Sequence, residues 1–252
     1  MSFALTQVRQ IEALGFRAWP ASSVHYDGSW AIRTTEKHPS KRLNSVNPLD
    51  PADTDNIGPR VAAAAERFRA SGRKCVFRLS PLAPKQLESY LASSGWERFD
   101  DSLIMIADFA AVDLLDAKDL VVQPDIGGFV DASLQVQGEA ATLKSGLIDV
   151  IGSIKPARGL FTIEDSGVPV STAICVSDGA MAGLFGIATA GNQRRRGLGR
   201  AIVKSALKWA VQQGATKAWL QVEAGNAGAI TLYQSMGFRE AYQYAYWQAA
   251  EA

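Results

Sequence analysis

Arg194-Arg195-Arg196-Gly197-Leu198-Gly199 is the segment of this 252-residue sequence with the clearest chemical content. It follows an apolar run, Ala182 to Thr189, that reads as a buried strand. It precedes a helix predicted over Gly197 to Gln213, with Leu198, Ile202, Ala206 and Trp209 on its apolar face and Arg200, Lys204 and Lys208 opposite. Glycines at a strand-to-helix turn let the backbone approach a ligand closely. The free N–H groups from Arg195 to Gly199 then point at one anion, which the helix dipole favours. Three arginines add charge attraction. A pyrophosphate suits such a cradle. No Gly-Lys-Ser or Gly-Lys-Thr follows, which disfavours a nucleotide-triphosphate loop, and the order Gly-x-Gly-x-x-Gly is missing, which disfavours a dinucleotide fold. A basic turn that only caps its helix is the plain alternative.

A second segment, Leu220 to Phe238, carries Glu223, Asn226 and Tyr233. Glu223 ends a strand and is either a solvated acid or a proton acceptor. Asn226 suits a helix N-cap. Tyr233 has a phenol that can donate or accept, or can simply pack. Asp178 and Glu164 are lesser acid candidates. The two cysteines, Cys75 and Cys175, lie in apolar runs and read as buried free thiols. With His25 and His38 they form no metal-binding spacing, so no metal is expected.

The elements that must position these residues follow from periodicity and punctuation. In the first half, helices are expected over Thr6 to Ala18, Asn56 to Ala70 and Lys85 to Ser94. Strands are expected at Trp30 to Arg33, Arg42 to Val46, Cys75 to Leu79 and Leu103 to Phe109. A short strand at Leu120 to Val122 marks a boundary near residue 120. A helical region at Asp131 to Ile151, broken at Gly138, follows. Strands come next at Leu160 to Glu164, Val168 to Val176 and Ala182 to Thr189, with Asp165-Ser166-Gly167 and Asp178-Gly179 as turns. After the Gly197 to Gln213 helix come a strand at Lys217 to Val222, a helix at Ala227 to Met236 and a strand at Arg239 to Trp247. That last strand alternates, with Tyr242, Tyr244 and Tyr246 on one face. Leu87 to Glu97 and Ile230 to Glu240 share their spacing of tyrosine and Gly-aromatic, a weak internal repeat.

The chain carries 26 basic and 25 acidic side chains, a net charge of +1 that gives no global pull toward nucleic acid or an anionic membrane. No apolar run reaches the length of a membrane span. The first residues read as a helix, not a signal peptide, so a cytoplasmic location is expected.

Arg194 to Gly199 resembles the pyrophosphate-binding motif of the GNAT acetyltransferase superfamily, and Leu220 to Phe238 resembles that superfamily's second acyl-coenzyme A segment. The likeness is clear over residues 127 to 252. The first half, including Trp30 to Arg33 and Lys41 to Leu49, resembles a degenerate relative. The resemblance implies an α/β fold with a mixed, mainly antiparallel sheet flanked by helices, in two tandem copies. These are a degenerate domain at 1–120 and a catalytic domain at 121–252. It implies acetyl-CoA as co-substrate, bound by Gly186, Ile187, Ala188 and Thr189 in a gap between splayed strands. Arg194, Arg195, Arg196, Gly197, Leu198 and Gly199 would hold the pyrophosphate, with Asn226 and Tyr233 as further contacts. Tyr233 matches the tyrosine that protonates the departing thiolate. Members often place a glutamate on the strand before the loop. Met181 to Thr189 has none, which leaves Glu223 as the nearest candidate base.

The expected reaction is acetyl transfer to a primary amine of a small molecule, by an enzyme with no nucleic-acid or membrane partner. Trp30 and Arg33 are placed by analogy at an acceptor cleft between the halves. Protein N-acetylation and a non-catalytic acyl-CoA-binding module are the alternatives. Oligomeric state is not legible.

Overall fold

A computed structural model of the chain describes residues 4–250. The first half runs α1 (Leu5–Ala18), β1 (Ser23–Asp27), β2 (Trp30–Thr34), β3 (Ser45–Pro48), α2 (Ile57–Ala70), β4 (Val76–Leu79), α3 (Lys85–Ser93) and β5 (Trp96–Asp108). The second runs α4 (Ile126–Gln137), α5 (Lys144–Gly152), β6 (Ala157–Asp165), β7 (Val168–Asp178), β8 (Met181–Thr189), α6 (Leu198–Gln212), β9 (Lys217–Glu223), α7 (Ala227–Gln234) and β10 (Arg239–Ala249). Short 3-10 turns fill some of the connections.

All ten strands join one sheet in the order β1-β2-β3-β4-β10-β5-β9-β8-β7-β6. The order is nearly a palindrome. Each half supplies four neighbouring strands and sends its fifth into the other half's side. Thus β10 pairs with β4, β5 pairs with β9, and β5 and β10 pair with each other, all antiparallel. The parallel pairs are β3–β4 and β8–β9. Each is joined through a helix, α2 or α6, because a parallel neighbour cannot be reached by a hairpin. The tandem expectation is met, and the two halves are tied by exchanged strands. The weak repeat lies at this exchange: α3 and α7 each end before a left-handed glycine, Gly95 (φ +78°) and Gly237 (φ +90°), which turns the chain into β5 or β10.

The core has three parts. α1, α4 and α5 bury Val8, Ile11, Leu14, Phe129, Val130, Leu147 and Ile151 on one side of the central strands. α6 and α7 cover the second half's other side with Ile202, Val203, Ala206, Leu207 and Tyr233. α2 and α3 bury Val61, Phe68, Leu87 and Leu91 with Trp30 and Phe77 in the first half. Apolar residues three and four apart on these helices explain the faces they bury.

Several elements differ from expectation. β1 was not foreseen, because its residues are largely exposed and lack an inward face; it pairs with β2 across the tight Gly28-Ser29 turn. Lys41–Leu43 is a 3-10 turn, and the strand there begins at Ser45. β5 starts seven residues before the expected Leu103, as its polar first half pairs with β10. Leu120 to Val122 is not a strand; it lies in irregular chain. That connection explains another departure: Lys204 is buried, not a solvated stripe, because it reaches Asp113 (3.4 Å) and also Asp116, while Lys208 reaches Asp119 (2.8 Å).

Candidate active site

β8 and β9 pair from Met181–Lys217 to Leu184–Leu220 and then part. Past that point β8 follows β7 alone, and its register slips between the Thr172–Ala188 and Ile174–Phe185 pairs. Gly186 lies in the slip with φ +54°. An added Cβ would make only ordinary van der Waals contact there, 3.7 Å from Ile174, so the backbone conformation is what calls for glycine. The splayed strands expected from the resemblance are therefore present.

The gap opens into a cavity of about 340 Å³. Gly186 and Ile187 line it from β8, Glu223 from the end of β9, and Asn226 and Tyr233 from α7. Ala188 and Thr189 do not line it. Ser171 Oγ on β7 donates to the Ala188 carbonyl at 2.6 Å and lies 3.1 Å from Thr189 Oγ1, which holds this end of β8 against its neighbour.

Asn226 caps α7, its Oδ1 accepting from the Ala229 N–H at 3.1 Å. Tyr233 is buried beside Phe238, with ring centroids 6.0 Å apart. Burial pushes its phenol up to about 12, because desolvation disfavours the phenolate. β8 has no carboxylate. Of the acid candidates only Glu223 lines the cavity. Asp178 is engaged with Arg17 at 2.6 Å, and Glu164 sits on β6 outside the cavity lining.

The arginine-glycine loop leads from β8 into α6. Arg195 (φ +63°) and Gly197 (φ +78°) both adopt left-handed conformations, which turn successive N–H groups toward one side. Among the described residues, the N–H groups of Arg194 to Gly199 make no hydrogen bond to the protein. Arg194 and Arg195 are exposed, and Arg196 reaches Asp165 at 3.1 Å. Gly199 packs against α7: an added Cβ would lie 3.4 Å from Leu232. The equivalent loop of the first half, between β3 and α2, carries Asp50, Asp53 and Asp55. Arg60 on α2 is taken up by Asp53 (2.8 Å) and Asp27 (3.1 Å), so that loop is acidic where its counterpart is basic.

The first half nevertheless reaches the cavity. Lys41, Arg42, Asp100 and Ser102 line it, together with Tyr244 and Tyr246 of β10. Their place there follows from the strand exchange, and no local motif announces it. Tyr244 Oη donates to Gln221 Oε1 at 2.7 Å, and Tyr246 packs edge-on against Tyr244. Burial, then Tyr244, drive the Tyr246 phenol far up, while Arg78 and Arg42 pull the other way. Trp30 and Arg33 do not close this cleft. Trp30 is fully buried under α2, and Arg33 is buried with its guanidinium on the carbonyls of Trp19 (2.5 Å) and Arg42 (2.8 Å). Burial and the charge of Arg78 lower Arg33 to about 10. No helix among the described residues is long and apolar enough to cross a membrane, and no metal-binding cluster occurs among them.

Comparisons with known proteins agree with the fold. The chain is 27% identical over 240 residues to Uncharacterized N-acetyltransferase YobR of Bacillus subtilis (strain 168), covering 93% of this chain and 95% of that protein. A shorter stretch of 58 residues is 45% identical to the ribosomal protein bS18-alanine N-acetyltransferase of Escherichia coli (strain K12), covering 23% of this chain and 39% of that one. The fold is similar to a GCN5-related N-acetyltransferase from Kribbella flavida, with a TM-score of 0.75 at 19% identity over 100% of this chain and 97% of that chain. It is also similar to a tandem GNAT protein from the clavulanic acid biosynthesis pathway, with a TM-score of 0.64 at 13% identity over 96% and 88%. Residues 5–247 match the family described as Probable histone acetyltransferase Rv0428c C-terminal, and the chain belongs to that family and, through it, to the GNAT N-acetyltransferases.

Proposed function

We propose that this acetyltransferase moves the acetyl group of acetyl-CoA directly to the primary amine of a small molecule, in the cytoplasm, with one acetyl-CoA site per chain. The observation that carries the reading is the cavity where β8 and β9 part, bounded by Gly186, Ile187, Glu223, Asn226 and Tyr233. We divide the chain near residue 120 into a supporting half and an acetyl-CoA-binding half.

The unpaired N–H groups of the Arg194–Gly199 loop receive the pyrophosphate, with Arg194 and Arg195 adding charge. Ala188 and Thr189 border the path from that loop to the cavity. At Gly186 and Ile187 the backbone released from β9 binds the pantetheine arm and polarises the thioester carbonyl. Glu223 attracts the ammonium form of the acceptor and takes its proton, directly or through water. The amine nitrogen then bonds to the acetyl carbon and the carbon–sulfur bond breaks. A phenol held near 12 stays protonated at neutral pH, so Tyr233 offers its O–H to the sulfur as negative charge develops there. The proton released by the amine restores the balance, leaving a thiol and an amide.

The test is release of free thiol from acetyl-CoA across an amine panel, with acetyl-CoA binding measured in parallel by calorimetry. Turnover with a small amine supports the reading. Binding with no turnover on any small amine or peptide instead identifies a non-catalytic acyl-CoA module. A protein acceptor is the second reading, favoured by the 58-residue likeness to a ribosomal-protein alanine acetyltransferase. Turnover confined to peptide N-termini would establish it.

A further inference from the structure

We propose that the acceptor held beside Tyr233 carries a carboxylate as well as its amine, and that Arg42 binds the carboxylate. The proposal rests on the acetyl-transfer reading above and adds the class of substrate.

Four ionisable groups of ordinary charge line the cavity: Lys41, Arg42, Asp100 and Glu223. Two of them are already satisfied by each other. Lys41 forms an ion pair with Asp100, and its ammonium lies 5.2 Å from the Phe99 ring centroid and 5.3 Å from that of Tyr246. Arg42 and Glu223 remain. Neither has an ion-pair partner among the described residues. The backbone carbonyl of Arg42 is fixed by Arg33, while the side chain of this partly buried residue makes no hydrogen bond or ion pair among the described residues.

A guanidinium partly removed from water and left without an anion is costly, and its fork geometry matches a carboxylate in bidentate fashion. Glu223 is a lone anion on the edge that leads through Asn226 to Tyr233, where the reacting amine must sit. The two unpaired charges come from different halves of the chain, Arg42 from the segment before β3 and Glu223 from β9. An amino-carboxylate satisfies both at once, with its ammonium toward Glu223 and its carboxylate toward Arg42. A simple amine leaves Arg42 unpaired. A basic peptide tail brings more positive charge against Lys41 and Arg42. The acetyl-transfer step is unchanged: the C–N bond forms, the C–S bond breaks, Tyr233 protonates the sulfur and the proton lost from the nitrogen returns to Tyr233.

The experiment compares α-amino acids with small, aromatic, acidic and basic side chains, each beside its carboxamide and its decarboxylated amine. Binding is measured by calorimetry on the full chain saturated with CoA, and turnover by thiol release with acetyl-CoA. The carboxylate forms are expected to bind about tenfold or more tightly than their carboxamides, as a lost charge-assisted pair implies. Arg42→Gln should bring that ratio close to one, and Arg42→Lys should restore part of it. Equal binding of acid and amide, no binding by any amino-carboxylate, or an unchanged ratio in Arg42→Gln would overturn the proposal. Arg42-dependent binding without acetyl transfer would keep the subsite and remove the catalytic reading. Turnover of small amines with no preference for the carboxylate would do the reverse.

Discussion

Tyr242 Oη on β10 donates a 2.8 Å hydrogen bond to Glu12 Oε1 on α1, joining residues 230 positions apart. Glu12 also receives Arg78 Nη1 at 2.5 Å and Nη2 at 3.1 Å, and the Arg78 guanidinium stacks 3.7 Å from the centroid of the Tyr244 ring. Tyr244 in turn walls the cavity. The buried pair therefore connects α1 and β4 of the first half to the strand that β10 lends it. Removing one partner leaves a buried charge without compensation. Glu12→Gln is expected to destabilise the fold by about 3–5 kcal/mol. Pairing it with Arg78→Met should recover much of that loss. Urea unfolding of the two single variants and the double variant measures both effects; a double variant that loses the sum of the two single losses would show that the pair is not the source.

Tyr233→Phe keeps the ring packed against Phe238 and deletes only the hydroxyl. The rate of thiol release should fall by about 10²-fold or more, the scale of lost acid catalysis, with acetyl-CoA affinity changed less than about twofold. Because the phenol is raised to about 12 by burial, it remains protonated throughout the working range. Activity of the parent protein should thus rise with pH as the amine loses its proton, with no decline from Tyr233 below about pH 10. A wild-type rate in Tyr233→Phe would remove the residue from the reaction.

Gly197 has open space around it but a φ of +78°, so a side chain strains the loop without clashing. Gly197→Val is expected to weaken acetyl-CoA binding about tenfold or more, the equivalent of 1–2 kcal/mol of left-handed strain. Arg194→Gln and Arg195→Gln should weaken it less and reduce its salt dependence, since exposed charges act through a screened field. Titration calorimetry at two salt concentrations separates these cases. The same titrations should give one acetyl-CoA per chain, because the acidic Asp50–Asp55 loop repels the anion its counterpart attracts.

Asp53 ties the β1–β2 turn to α2. It accepts from Arg60 Nη1 at 2.8 Å and from Ser29 Oγ and N–H at 2.6 and 2.9 Å. The Arg60 bonds are the main cause that lowers its carboxyl to about 2, aided by Ser29 and opposed by burial. A depressed acid stabilises the fold above its unfolded value near 4, and that contribution fades as pH falls toward 2. Asp53→Asn should cost on the order of 1–2 kcal/mol at pH 7 after solvent screening is allowed for, and much less near pH 2. Urea midpoints at the two pH values check this; a pH-independent difference would rule out the charge as its origin.

Local chemistry was sufficient for the strand-to-helix turn at Arg194–Gly199, the Asn226 cap and most helices, because each depends on residues within one or two turns of chain. The GNAT resemblance rested on two such segments in the right order. The irregular linker at 112–120 was harder to read: its aspartates acquire meaning only against Lys204 and Lys208, some 90 positions later. β1 stayed hidden because an exposed edge strand shows no alternation.

By itself, the sequence determined that one half carries an arginine- and glycine-rich strand-to-helix turn and a candidate acid, and that the other half lacks the matching run of arginines and glycines. Only the tertiary structure decided that the halves exchange β5 and β10. Strand pairing is a contact between distant segments whose alternation is compatible with several neighbours, so no local pattern selects the partner. That exchange brings Lys41, Arg42, Asp100, Tyr244 and Tyr246 to the cavity beside Tyr233. It also removes Trp30 and Arg33 from it, because burial depends on what packs above a strand as well as on the strand's own residues.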